Sequence, residues 1–400
     1  SGVGDDGDHV RDDGDHVREF LDRSDDLFDW AGDLYALLSP DGPLTTNAGY
    51  LAEQVFDDGT HDSAPPLGWS HAMRLHTTAL LHRYDALPAP KSAPSGPGDR
   101  PRWTTGEKYG VGTVADHRAA DASRVWFTLT EGALTEVRFP RVDLMNLRTL
   151  DFLVVDADPE ATYTARTHNE TRRDDHADTI ERTAEIVEEE ALVFRHAVTE
   201  TGDGRGHEWT LQAEYATDPE HDALVVDVDF AAADGHEYDV YAVADTALTN
   251  TGNTDRAIRL GQPSGYHLVA RDAEAFDETA AAEPLLIDEH GEEYSVAVSL
   301  AADGRFDWAT VGVAGSRRLS NLFSKGQVPE SRDSVDNENV VLVGRIGSGD
   351  DVGETLALGF AENADTAAAL GEAAGALTRG YDRVREAYVD SWRRFLDGKG

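Results

Sequence analysis

The chain carries 77 Asp and Glu and 15 His side chains but no Cys, so carboxyl and imidazole groups are abundant for acid–base chemistry and thiols are absent. Without Cys there are no disulfides, thiolate metal sites or thiol nucleophiles. No G-x-S-x-G elbow occurs, which removes the strained serine of the α/β-hydrolases. Gly110-Val111-Gly112 is a partial echo of a dinucleotide loop, but the third glycine is not where it is required, and strands rather than a helix are expected to follow. The word DDGDHVR at 5–11 is repeated at 12–18. Its alternating Asp and His invite a metal, but the spacing fits no EF-hand loop, and the repeat reads as a solvated tail. His71, His76 and His82 are five and six residues apart, which does not align three ligands on one helical face. Neither a metal ion nor an organic cofactor is therefore expected. Asn169-Glu170-Thr171 is a glycosylation sequon, which matters only in an extracytoplasmic setting.

A length of 400 residues allows two or three domains, and 40% hydrophobic residues can bury sizeable cores. Thirty-five basic against 77 acidic side chains leave a net charge of −42. Lys occurs only at Lys91, Lys108, Lys325 and Lys399; every other basic residue is Arg. An acidic surface nearly free of Lys resembles proteins of salt-loving archaea. In molar salt, screening shortens to about 3 Å and such self-repulsion is tolerable; low salt should destabilise the fold. The same charge argues against nucleic acid and anionic membrane as partners. No apolar stretch approaches the roughly 20 residues that span a bilayer, and no N-terminal signal pattern is visible. The cytoplasm of a halophile fits these features, and an extracellular setting stays open if a signal precedes Ser1.

Hydrophobic periodicity divides the chain. Residues 1–18 are the acidic repeat tail, expected to be disordered. Within 19–87, Phe20, Leu21, Leu27, Phe28 and Leu34 recur at helical intervals, and SHAMRLHTTALLHRY (70–84) reads as a further helix. Residues 88–101, with five prolines in 14 positions, form a semi-extended linker. From 102 to 361 the period becomes two: Val125, Phe127 and Leu129 alternate with Trp126 and Thr128, and Val226, Val228 and Phe230 alternate with Asp227 and Asp229. Trp209, Leu211, Ala213 and Tyr215 behave likewise, and further runs fall at 191–199, 238–247, 285–288, 294–300, 308–314, 339–343 and 355–360. Many short strands with polar outer faces predict a mainly β protein built on a large antiparallel sandwich. Between 362 and 400, Leu370, Leu377, Tyr381, Val384, Tyr388 and Phe395 form one stripe with Trp392 beside it, an amphipathic helix pair. The apolar faces of the helices at each end are expected to lack partners within this chain.

Two segments carry a resemblance to a known family. The stretch Trp103-Thr104-Thr105-Gly106-Glu107-Lys108-Tyr109-Gly110-Val111-Gly112-Thr113, followed by SRVWFTLTEGALTEVRFPRVDLMNLRTLDFLVVD (123–156), resembles the N-terminal domain of bacterial and archaeal glucoamylases and glucodextranases, glycoside hydrolase family 15. The likeness extends through TALTNTGNTD (246–255) to about residue 360 and takes in the tail WRRFLDG (392–398). It implies a galactose-mutarotase-like antiparallel super-sandwich followed by helices leading into an (α/α)6 catalytic barrel. Separately, GYLAEQVFDDGTHDSAPPLGWSHA (49–72) resembles the C-terminal end of such a barrel, which makes 19–87 a helical barrel fragment. The order is then inverted relative to one enzyme, as expected of a segment of a longer tandem polypeptide or of a split gene product.

The resemblance implies α-glucan or oligosaccharide as substrate and an (α/α)6 barrel, in the same or a neighbouring polypeptide, as partner. Inverting hydrolysis needs two carboxyl groups roughly 6.5–9.5 Å apart, one protonating the leaving oxygen and one activating water. The family's base sits in a Glu-Gln dipeptide, here Glu53-Gln54, ahead of Pro66-Leu67-Gly68-Trp69-Ser70-His71-Ala72. Glu53 is thus the implied catalytic base. Trp69 is a candidate for stacking on a sugar, with packing at the helix start as its other role; Ser70 is a plausible N-cap. The family's acid sits in Trp-Glu-Glu, and no Trp here is followed by Glu-Glu. The Glu188-Glu189-Glu190 run reads as a solvated turn before a strand. This chain alone is therefore expected to be inactive. The alternative is a carbohydrate-binding or scaffold module, for which Trp126, Trp209 and Trp308 are stacking candidates if exposed.

Overall fold

The computed structural model describes residues 108–115, 122–168, 179–188, 190–202, 206–250, 252, 255–262, 265–272 and 295–397. The expected acidic tail, helical fragment and linker, with Glu53 and Trp69, lie outside the described residues, as do the sequon and the run at 285–288.

Seventeen strands occur among the described residues. They are β1 (Gly110–Thr113), β2 (Trp126–Thr130), β3 (Ala133–Arg138), β4 (Met145–Asp156), β5 (Thr164–Arg166), β6 (Ile180–Glu188), β7 (Val193–Glu200), β8 (Trp209–Thr217) and β9 (Ala223–Ala232). There follow β10 (Tyr238–Thr246), β11 (Asp255–Gln262), β12 (Gly265–Asp272), β13 (Val296–Ala302), β14 (Ala309–Val313), β15 (Ser334–Glu338), β16 (Val340–Gly349) and β17 (Asp351–Glu362). One sheet runs β1-β2-β3-β4-β10-β16-β14, with β5 pairing β4, and the other runs β15-β11-β12-β13-β17-β9-β8-β7-β6. Every pairing is antiparallel. The fold is the mainly β, two-sheet sandwich that the alternating pattern predicts.

Residues of both sheets share one core. Phe127, Leu129, Phe152, Val240 and Leu342 of the first meet Leu211, Val226, Phe230, Val298 and Phe360 of the second. The glycines of the rejected nucleotide loop serve this packing. A Cβ on Gly110 would stand 2.3 Å from the Phe194 ring, and one on Gly112 would stand 2.1 Å from that of Phe127.

Central strands are apolar on both faces because both faces are covered. In β4, Phe152 and Val154 point into the sandwich, while Leu153 and Val155 join Tyr241, Val243, Val341 and Val343 under helix α1 (Arg317–Lys325), which contributes Leu319 and Leu322. On the opposite outer face lie α2 (Thr366–Arg379) and α3 (Tyr381–Asp397). The Asp365 carboxylate caps α2 by accepting from the backbone N–H of Ala367 and Ala368, each at 3.0 Å. Ala369, Ala373 and Ala376 let α2 approach closely, and at Gly359 a Cβ would stand 2.3 Å from the Ala369 carbonyl oxygen.

The expectation that the C-terminal helices lack a partner in this chain is corrected here. Tyr381, Val384, Tyr388 and Val389 pack on Ala191, Val193, Ala216, Ala223 and Val225, the outer face of β7, β8 and β9. The small Ala and Val side chains make this face flat enough to seat a helix. Polar anchors reinforce the contact. Glu214 accepts from Arg385 Nε at 2.7 Å, the Tyr381 hydroxyl at 2.8 Å and Arg195 Nη2 at 2.9 Å. Burial opposes its ionisation, yet these bonds hold its carboxyl below the usual range. Glu188 and Glu190, expected in a solvated turn, receive Arg393 at 2.8 and 3.2 Å and so also tie down α3. Phe395 and Leu396, at the end of α3, are exposed.

Candidate functional site

Among the described residues, one cluster of titratable groups offers convergent ligand atoms: Asp156, His207 and His236. Each strand end contributes for a local reason. Asp156 closes β4, and its Oδ1 accepts the Asp158 N–H at 2.9 Å, a side-chain turn that stops the strand. His236 lies in the turn between β9 and β10, where Gly235 takes φ 82° and Asp234 Oδ1 accepts the His236 N–H at 2.8 Å. His207 leads into β8, and its ring stacks on Tyr163 at 3.7 Å between centroids.

Asp156 Oδ2 lies 3.1 Å from His236 Nδ1 and 4.0 Å from His207 Nδ1. His207 Nδ1 is also 2.9 Å from the Tyr238 hydroxyl, which donates to Asp234 Oδ2 at 2.6 Å. Because the single Tyr238 proton goes to Asp234, the His207–Tyr238 bond assigns a proton to His207 Nδ1. Burial opposes ionisation of Asp234, but bonds from Tyr238 and from the Glu208 and His236 N–H groups lower its pKa. Burial and the adjoining Asp234 push the Tyr238 phenol well above its ordinary value. The Trp209 Nε1–H donates to the Tyr163 hydroxyl at 2.8 Å, anchoring the stacked pair in the core. The cluster therefore lies where the end of β4 in the first sheet, the start of β8 in the second and the β9–β10 turn between the sheets meet.

Two other buried groups are explained without a ligand. His196 is held neutral by burial, its pKa pushed down to about 3, and it meets the Tyr215 hydroxyl at 3.1 Å inside the core. Asp255 and Asp272 end paired strands, and burial, then the Asp272 charge, pushes the Asp255 carboxyl well up, as expected for a pair sharing a proton.

Of the tryptophans considered for sugar stacking, Trp209 is buried, and Trp308 packs edge-on to Tyr241 with centroids 5.5 Å apart. Trp126 is half-buried in β2. Asp156, His207 and His236 were not legible as a site: they are 51 and 29 residues apart (207 − 156 and 236 − 207) and no motif spacing links them. Only strand pairing brings them together.

A two-sheet antiparallel super-sandwich with helices on both outer faces defines the class of domain, and it is a glucoamylase/glucodextranase-type N-terminal domain. The chain belongs to the family described as glucodextranase, domain N, whose model matches residues 93–397. A curated relative, a glucoamylase of Clostridium sp. (strain G0005), is 23% identical over 311 residues, which cover 76% of this chain and 38% of that protein. A solved structure, a bacterial glucoamylase complexed with acarbose, matches with a TM-score of 0.57 at 19% identity over 76% of this chain and 39% of that one. This last likeness is one of fold. The chain thus spans less than two fifths of the length of these relatives.

Proposed function

We propose that this chain supplies the β-rich N-terminal domain of a glucoamylase-type glycosidase that releases glucose from α-glucans by inverting hydrolysis. The family match over 93–397, together with the glucoamylase relative, carries this reading. The sandwich would pack on an (α/α)6 barrel and help shape its substrate entrance. Glu53 would be the base of a barrel of this kind, and Trp69 would flank the sugar. A base without a positioned acid does not complete the reaction. No Trp-Glu-Glu occurs in the sequence, so the chain alone is expected to be inactive.

The experiment is glucose release from maltose, starch and dextran by the isolated chain in molar salt, with Glu53→Gln alongside. The expected result is no turnover by either. Turnover by the native chain that Glu53→Gln abolishes would overturn the inactivity. Saturable glucan binding without turnover, unchanged on adding a barrel, would favour the carbohydrate-binding scaffold.

A further inference from the structure

Asp156 is a buried carboxylate whose ion-pair partners among the described residues are the imidazoles of His207 and His236 rather than Arg or Lys. A carboxylate drawn out of water needs compensating charge or hydrogen bonds. Asp156 Oδ1 accepts the Asp158 N–H, while Oδ2 faces both ring nitrogens, so the three side chains converge where one divalent ion could be held by all of them. We propose that Asp156, His207 and His236 bind a zinc-like divalent cation that staples the ends of the two sheets together.

The spacing supports this. The three residues offer one ligand atom each, all within 4.8 Å of one another. A tetrahedral ion with bonds of about 2.0–2.1 Å separates its ligand atoms by about 3.3 Å. The distances from Asp156 Oδ2, 3.1 and 4.0 Å, fall on either side of that value, so small side-chain shifts close the site. On binding, each ring carries its proton on Nε2 and gives its Nδ1 lone pair to the ion, with no net proton lost. Tyr238 keeps its bond to Asp234, and its oxygen, 2.9 Å from His207 Nδ1, offers the fourth position directly or through a water. Two nitrogens with one carboxylate favour zinc, cobalt or nickel over calcium and magnesium, which prefer oxygen donors. The role is structural: Asp156 ends β4 of one sheet, His207 leads into β8 of the other, and His236 lies in the turn that passes from β9 to β10 between them.

The test is a Co²⁺ titration of the full chain in molar salt, followed by visible absorption, with thermal unfolding measured with and without the metal. The expected result is one saturable equivalent with the absorption of a tetrahedral nitrogen–oxygen site and a raised Tm. His236→Ala removes a partner of Asp156 and should lower the metal-free Tm modestly, so the metal's effect is read against the metal-free form of each protein. The variant should also weaken Co²⁺ binding by more than about 100-fold, since losing a ligand exceeds the usual cost of losing a group behind one. It should abolish the Tm gain as well. No saturable binding, or binding that His236→Ala leaves intact, overturns the site; the latter would place the metal elsewhere, such as the Asp–His repeat at 5–18. Binding lost in the variant but never accompanied by a Tm gain overturns the staple.

Discussion

Trp209→Ala is expected to lower the free energy of unfolding by about 3–5 kcal/mol, read from urea denaturation in molar salt. The side chain begins β8, is fully buried and packs on Phe230 with ring centroids 5.9 Å apart. Its removal opens a cavity between the sheets and takes the Nε1 donor from the Tyr163 hydroxyl. Trp209→Phe fills most of that volume but lacks the donor, so it should cost less, on the order of 1–2 kcal/mol. An Ala variant within about 1 kcal/mol of the native protein would contradict a sandwich closed at this position.

The second large effect lies near the start of the described residues. Glu136 is buried in β3, 2.8 Å from Lys108 Nζ and 2.9 Å from Arg138 Nη2. Burial alone would raise its pKa, but the Lys108 and Arg138 charges hold it below the ordinary glutamate range. Glu136→Ala leaves two largely buried cations without that carboxylate and should cost about 3 kcal/mol at neutral pH. The pH dependence has a definite sign. With a depressed folded pKa, the stabilisation is fully present above the unfolded value of about 4.3 and is lost as pH falls through the lower folded value. The gap between native and variant stability should therefore be constant near neutrality and narrow in acid. A gap that widens in acid would contradict the pairing.

Strand content was readable because alternation was strong. The runs at 238–247, 308–314 and 355–360 correspond to β10 (Tyr238–Thr246), β14 (Ala309–Val313) and part of β17 (Asp351–Glu362). Their order in the sheets was not, since β4 and β10 pair across a long sequence separation that no local pattern encodes. Helix α1 escaped because two buried leucines, Leu319 and Leu322, in nine residues give too short a period to detect. The seat of α3 escaped because Ala216, Ala223 and Val225 carry no signal beyond ordinary strand residues. The histidine cluster is of the same kind. His207, His236 and Asp156 each stand at a strand end or turn, where polar residues are unremarked, and only the sandwich topology makes them neighbours. Glu53 and Trp69 rest on a motif alone and lie outside the described residues.

The glucoamylase-type reading is tested most directly by supplying an (α/α)6 barrel of that kind, fused to this chain or added in trans, and measuring glucose release from maltose and starch in molar salt. Release by the barrel with this chain is expected to be faster than by the barrel alone, with none by the chain alone. Equal rates with and without the chain would contradict that reading.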